Sequence, residues 1–296
     1  MNLSNDEKLK VSIGLPVYNG EKYLSNALNS LLNQTFQDFE IIISDNASTD
    51  KTPVICKEFF QRDSRVKYIR HEKNFGATRN FIFTLSKAKT PYFMWAAADD
   101  YWDPQFLEKN LKILDMNENI IGSISNVEFV GKNIPDMYRS DEKGTTYQYL
   151  IENLPPHTTP LSEKVSFHLK HNRGMSIYSI FRTDVLKKCI MKRDHCDWDQ
   201  TIVLNTLKYG DLYIMNEILL YRNVEGVTSV PSQITRWKNH GIPFLEILFL
   251  EIPFTFVFMK NFGLKIFFKN LSYLLKLNYR IERSIFVDLL RKIKKD

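Results

Sequence analysis

Residues 90–103 read TPYFMWAAADDYWD, an apolar run that ends abruptly on two adjacent carboxylates, Asp99 and Asp100, with Asp103-Pro104 close behind. The run over 91–97 reads as a short strand. Pro104 then starts a helix over 104–115 that carries Leu107, Leu111 and Leu114 on one face. Two Asp at the end of a buried strand are costly to desolvate unless something cationic meets them. A hard divalent cation is the natural partner: Mg²⁺ or Mn²⁺, held by one or two carboxylates together with substrate phosphates. Taken alone, an Asp-Asp pair is better read as a turn that caps the next helix. Its surroundings decide otherwise.

Working outward, strand-like and helix-like segments alternate over the first 130 residues. Strands are expected at 10–16, 39–45, 66–70 and 120–130. Between them fall a helical stripe of Tyr23, Ala27, Leu28, Leu31 and Leu32, a helix opened by Thr52-Pro53 with Ile55 and Phe59, and a helix over 77–86. This alternation implies βαβ units and a mostly parallel sheet. Right-handed crossovers put every strand's carboxyl end on one rim, and ligands of open α/β sheets bind outside that rim. Three strands, the first, second and fourth, end there on polar residues: Pro16-Val17-Tyr18-Asn19, Asp45-Asn46-Ala47-Ser48, and Asp99-Asp100. Residues 131–195 are less regular, with loops expected at 155–157 and 173–174. A helix over 201–209 follows a cluster at 194–199, and a strand over 212–220 ends at Tyr221-Arg222.

The 296 residues, 44% apolar and 25% charged, suit one large domain or a domain with an appendage. Cys56, Cys189 and Cys196 lack metal-type spacing, so free thiols in a reducing compartment are expected. The opening residues MNLSNDEK are polar and show no signal-peptide pattern, so a protein facing the cytosol is expected. Of the net charge of +6, residues 260–296 alone carry ten Lys/Arg against three acids. Such an asymmetry suggests a tail that meets an anionic surface. A nucleic-acid partner is not expected.

In order along the chain stand Pro16-Val-Tyr-Asn19, Ser44-Asp-Asn-Ala-Ser-Thr-Asp50, Asn74-Phe-Gly76 with Arg79-Asn80, Ala98-Asp-Asp100, and an Asp before a helix that ends at Gly210. Together these motifs, over about residues 10–225, resemble the inverting family 2 glycosyltransferases of the GT-A fold. The resemblance implies an α/β, Rossmann-like, mostly parallel sheet flanked by helices, with a catalytic domain over 1–230 and a C-terminal helical segment over 231–296. It implies a nucleotide-sugar donor of UDP, GDP or dTDP. Pro16, Tyr18 and Asp45 match the family's base and ribose positions, and Asn46 stands second in what is often an Asp-Asp pair. A carboxylate or amide suits a base edge; the lesser alternative is that Asp45 simply caps its turn.

Asp99 and Asp100 match the family's metal motif for Mn²⁺ or Mg²⁺. Ala97 stands where many relatives carry a further Asp. Asp100 is the preferred direct ligand, with Asp99 contacting ribose or metal-bound water. Arg79 is either a second positive charge for the diphosphate or a surface helix residue. Asp197 and Asp199 are the candidate general bases. The interval from Asp199 to Gly210 favours Asp199. Asp197-Trp198 resembles the familiar Glu-Asp-aromatic form, with Cys196 in place of Glu. Gln233-Ile-Thr-Arg236-Trp237 has the spacing of an acceptor motif of processive members, but chance is the better reading without their multi-span membrane domain. His157, His168 and His171 lack metal spacing and read as loop or surface residues.

Residues 242–259 are very apolar but interrupted by two Glu and two Pro, too broken to span a bilayer. Beyond them Leu264, Phe267, Phe268, Leu271, Leu274 and Leu275 share a helical face, with Lys265, Lys269 and Lys276 opposite. Such a helix suits an anionic membrane surface, or packs on the catalytic domain or on another subunit of a homo-oligomer. The leading expectation is a metal-dependent transferase of cell-surface polysaccharide synthesis with a glycan or lipid-linked acceptor, peripheral on the cytoplasmic membrane face. Its rivals are a catalytically inactive nucleotide-sugar-binding or scaffold protein of the same fold, and a nucleotidyltransferase. The last would carry a Gly-rich basic loop after strand one, which Pro16-Val-Tyr-Asn-Gly20 is not.

Overall fold

In the computed structural model, described over residues 9–131, 146–149, 158–171, 175–191, 197–225 and 251–293, the alternation appears as expected. Strand β1 (Val11–Val17) is buried along its whole length, and α1 (Leu24–Leu32) turns Leu24, Ala27, Leu28 and Leu31 inward at helical spacing. Then come β2 (Phe39–Asp45), α2 (Thr52–Arg62) with Pro53 in its first turn, β3 (Val66–Arg70), α3 (Ala77–Lys87) and β4 (Tyr92–Trp95). A two-residue strand β5 (Tyr101–Trp102), α4 (Phe106–Met116) and β6 (Ile120–Val130) complete the first part.

The stretch read as irregular holds more order than its pattern suggests: β7 (Thr146–Tyr149), α5 (Leu161–His171), a 3-10 turn at Met175–Tyr178, β8 (Ile180–Arg182) and α6 (Thr183–Cys189). Helix α7 (Trp198–Thr206) begins three residues earlier than expected, and β9 (Asp211–Asn223) runs through Tyr221-Arg222. The expected loops at 155–157 and 173–174, Cys196, His157 and the Gln233–Trp237 segment lie outside the described residues.

The sheet order is β3-β2-β1-β4-β8-β6-β9-β5, with β7 on β6. Strands β3, β2, β1, β4, β6 and β9 all run one way, and β8, β7 and β5 run against them. The sheet is therefore mostly parallel, as expected, with β8 as an antiparallel spacer between β4 and β6. One core lies under α1, α2 and α4. The other lies under α3, α5, α6, α7 and a final helical segment, α8 (Glu251–Ile293), which breaks at Gly263 (φ 77°, ψ 168°) into two helices. Gly14 in β1 is where α3 comes closest, since a Cβ there would strike Thr84 and Phe93.

Phe254, Phe258 and Leu274 of α8 are buried in the second core with Trp95, Phe181 and Trp198. The described tail thus packs on the sheet. Asn278 Nδ2 donates to Thr255 Oγ1 at 3.0 Å, so the two halves of α8 fold back on each other. Among the described residues no helix is long and apolar enough to cross a membrane. His168 is a correction: read as a loop or surface residue, it is buried in α5, and burial pushes its imidazole down to about 3.

Candidate active site

The rim at the carboxyl ends of β1, β2 and β4 is assembled from loops stitched to one another. Asn19 N–H donates to Ser48 Oγ (2.9 Å), Thr49 N–H to Asn19 Oδ1 (2.8 Å) and Gly20 N–H to Thr52 Oγ1 (2.8 Å). Asn19, Ala47 and Asp197 all take positive φ (51°, 61° and 55°), and each lies in a segment bearing a candidate site residue. A left-handed non-glycine costs about 1–2 kcal/mol, so backbone strain is concentrated here.

Asp45 is wholly buried and ends β2 opposite Val17. Its Oδ1 accepts from Ser48 N–H (2.8 Å) and its Oδ2 from Tyr68 Oη–H (3.0 Å), with Arg70 Nε at 3.3 Å. It does cap its turn, and it is paired with a half-exposed Arg70. Asn46 is also buried. Its amide donates to Asn74 Oδ1 (2.8 Å) and the Gly76 carbonyl (3.2 Å), while its Oδ1 accepts from Phe75 N–H (3.1 Å). Through these bonds Asn46 holds the 74–76 loop against the end of β2. Gly76 (φ 93°) opens α3, whose first turn carries Arg79 on the exposed side. Pro16 is buried inside β1 beside Ser44, whereas Tyr18 is exposed on the rim.

Asp100 is buried, and both its oxygens are engaged: Oδ2 accepts from Arg222 Nε (2.9 Å) and Oδ1 from Asn223 N–H (3.1 Å). Burial pushes its carboxyl up to about 6; Arg222 works against that rise, and Asp99 adds to it. Burial alone would weaken the Arg222 charge, but Asp100 and Tyr178 more than offset this and hold it firmly protonated. Arg222 also lies 4.7 Å over the Tyr178 ring, with its Nη2 3.5 Å from the Tyr178 hydroxyl. Asp99, next to this pair, is half-buried.

Tyr178 links the parts of the site. Burial pushes its phenol up to about 12; Arg222 opposes that, and Asp100, Asp99 and Asp199 add to it. Arg222 of β9 therefore touches both Asp100, in the loop after β4, and Tyr178, and the charges of Asp99 and of Asp199 in α7 also act on that phenol. Asp199 lies in the first turn of α7, where its Oδ1 accepts from Gln200 N–H (2.8 Å), and Asp197 precedes that helix. Trp198 between them anchors the turn against Phe81 and Trp95.

Arg222 and Tyr178 were not among the expected site residues. Arg222 had a legible signal, since it ends a strand on the same rim; Tyr178 sits in a 3-10 turn without periodicity. Among the described residues no group of three or more His, Cys, Asp or Glu is poised to hold a metal. The donor set of two adjacent carboxylates suits a hard cation that draws its remaining ligands from phosphate and water.

The family model described as "Glycosyl transferase family 2" matches residues 12–183. An uncharacterized glycosyltransferase of Methanocaldococcus jannaschii is 28% identical over 273 residues, covering 83% of this chain and 87% of that protein. Among solved structures, the mannosyltransferase PcManGT from Pyrobaculum calidifontis, in complex with GDP-Man and Mn²⁺, is similar with a TM-score of 0.60 at 14% identity, over 97% of this chain and 76% of that one. S. aureus TarS 1-349, in complex with UDP-GlcNAc, gives a TM-score of 0.55 at 22% identity, over 72% of this chain and 58% of that one. Those two likenesses concern the fold. With the matched family model covering more than half of the residues, and its motifs at the strand ends where the site was built above, the chain belongs to glycosyl transferase family 2 and is a glycosyltransferase.

Proposed function

We propose that the protein transfers a sugar, with inversion, from a nucleoside-diphosphate sugar to a glycan or lipid-linked acceptor in cell-surface polysaccharide synthesis, on the cytoplasmic side of a membrane. The observation that carries the reading is the buried contact of Asp100 with Arg222 and of Arg222 with Tyr178 at the strand-end rim, with the charges of Asp99 and Asp199 acting on the same phenol. That arrangement puts cation-binding groups and a carboxylate in the first turn of α7 in one electrostatic neighbourhood. The complexes of the two fold neighbours with UDP-GlcNAc and with GDP-Man and Mn²⁺ lend support to donors of this class.

The nucleoside would lie along Tyr18 and the Asp45 turn, with Arg70 moving off Asp45 to let it accept from a base edge. Arg79 would meet the diphosphate from the first turn of α3, where the helix N-terminus also favours anions. For the metal we favour Asp99 over Asp100, because Asp100 already shares both oxygens with Arg222 and Asn223, and a guanidinium at 2.9 Å repels a second cation. A bound Mn²⁺ or Mg²⁺ would neutralise charge on the departing diphosphate. In the transfer, the acceptor oxygen bonds to the anomeric carbon as the bond from that carbon to the phosphate oxygen breaks. The acceptor's proton passes to the Asp199 carboxylate, and the nucleoside diphosphate leaves with the bond's electron pair.

Asp199→Asn should lower transfer by about 10²-fold or more, the scale of general-base catalysis, with donor affinity nearly kept. Asp197→Asn should cost much less. The reverse order would move the base to Asp197. Tight nucleotide binding with no turnover over a broad donor panel would instead favour a catalytically inactive binding protein.

A further inference from the structure

The part of α8 after Gly263 has one side buried in the second core and another that is exposed among the described residues. Leu264, Phe268, Leu275 and Tyr279 are 60–68% exposed. At 100° per residue they fall within about 60° of one another on the helix. Lys265, Lys269 and Lys276, also exposed, form a row about 100–140° from Leu264, directly flanking the apolar stripe. The buried Asn270 and Leu274 stand on the far side. This corrects the expected division of the helix. Phe267 and Leu274 turn inward to the core, while Leu264, Phe268 and Leu275 turn outward next to the lysines.

We propose that this outer arc is a docking surface for an anionic lipid bilayer. The stripe is about 22 Å long, and it lies along the surface of the molecule. Aromatic and leucine side chains in such a stripe enter the headgroup boundary, and the neighbouring lysines remain level with lipid phosphates. Charge complementarity selects the occupant. Between Glu251 and Glu282 there is no acidic residue, while Lys260, Lys265, Lys269 and Lys276 all fall in that interval. A second copy placed on the same patch by a two-fold axis would bring the lysine rows together with no acid to meet them.

The half of α8 before Gly263, onto which the docking half folds back through Asn278 and Thr255, is tied to the helix of the proposed base. Asn261 Nδ2 donates to Asn205 Oδ1 at 3.1 Å, and Lys208 Nζ lies 4.6 Å over the Phe262 ring. A bilayer on this face therefore holds α7, and with it the rim, in one orientation to the lipid. The proposal does not rest on the donor reading, because lipid partitioning and nucleotide binding are measured separately.

The test is sedimentation of the full chain with phosphatidylcholine vesicles, with and without phosphatidylglycerol. Partitioning should require phosphatidylglycerol, fall steadily as salt rises, and drop at least about tenfold in the Lys265→Glu, Lys269→Glu, Lys276→Glu triple variant. Leu264→Ser, Phe268→Ser and Leu275→Ser together should also release it. Melting temperature and nucleotide binding should stay unchanged in both variants. The proposal is overturned by equal binding to both vesicle types, by binding insensitive to salt and to both variants, or by no binding at low salt. A dimer that dissociates in the apolar triple variant would overturn it in favour of a subunit interface.

Discussion

At the scale of single residues, the contact between Asp100 and Arg222 sets the character of the site. A carboxylate this buried is costly to ionise, and what compensates is a guanidinium at 2.9 Å together with the Asn223 N–H. Removing one partner leaves the other buried and unpaired. Arg222→Met should therefore destabilise the fold by about 3 kcal/mol, read by urea unfolding. Arg222→Lys should recover part of that loss, because the ammonium restores the charge without the planar fork. An unchanged midpoint in Arg222→Met would show that the pair contributes no net stability. His168 gives a second expectation. It takes its proton near pH 6.5 in the unfolded chain but only near 3 in the folded one, where burial outweighs the pull of Asp211. Between those values the unfolded chain holds more protons. Stability is then full above about pH 6.5 and is lost as pH falls, by about 1.4 kcal/mol per pH unit for one such group. His168→Gln should flatten that slope in unfolding curves taken across the window, and an unaltered slope would contradict the assignment.

At the scale of elements, the strands and helices up to residue 130 were legible because each keeps a clean period. The run over 120–130 matches β6 to the residue, and Leu107, Leu111 and Leu114 are all buried. Helix α5 was not legible. Its inner side mixes Val165 and Leu169 with Lys164 and His168, and Lys164 is buried against Asp211. Polar residues at inward positions erase the hydrophobic period, and only the tertiary partner explains them. β5 is two residues long and exists because β9 runs beside it. At the site, the residues of the strand-end loops could be named from sequence, but the pairing of Asp100 with Arg222 joins positions 122 apart. The role of α8 also emerged only in three dimensions. Phe258 is almost wholly buried with Phe254 in the second core. Phe258→Ala should cost about 3–5 kcal/mol, seen as a lowered melting temperature. A loss under 1 kcal/mol would mean that α8 packs only loosely on the sheet.

At the scale of the whole molecule, a mostly parallel sheet brings the ends of β1, β2, β4 and β9 to one rim, with helices layered on both of its faces. Helix α8 closes the second core and keeps an apolar, lysine-flanked arc outward. The proposed donor site and the proposed lipid-docking arc would thus be parts of one body, joined through α7 and the first half of α8. The measurement that bears most directly on this account is calorimetric titration of UDP, GDP and dTDP into the full chain, with Mn²⁺ and with chelator, for the wild type and Asp99→Asn. The account predicts that at least one of the three nucleotides binds, that Mn²⁺ tightens it about tenfold or more, and that Asp99→Asn removes the Mn²⁺-dependent gain while leaving the metal-free affinity in place. Failure of all three nucleotides to bind, or a Mn²⁺ effect that survives Asp99→Asn and disappears in Asp100→Asn, would contradict it.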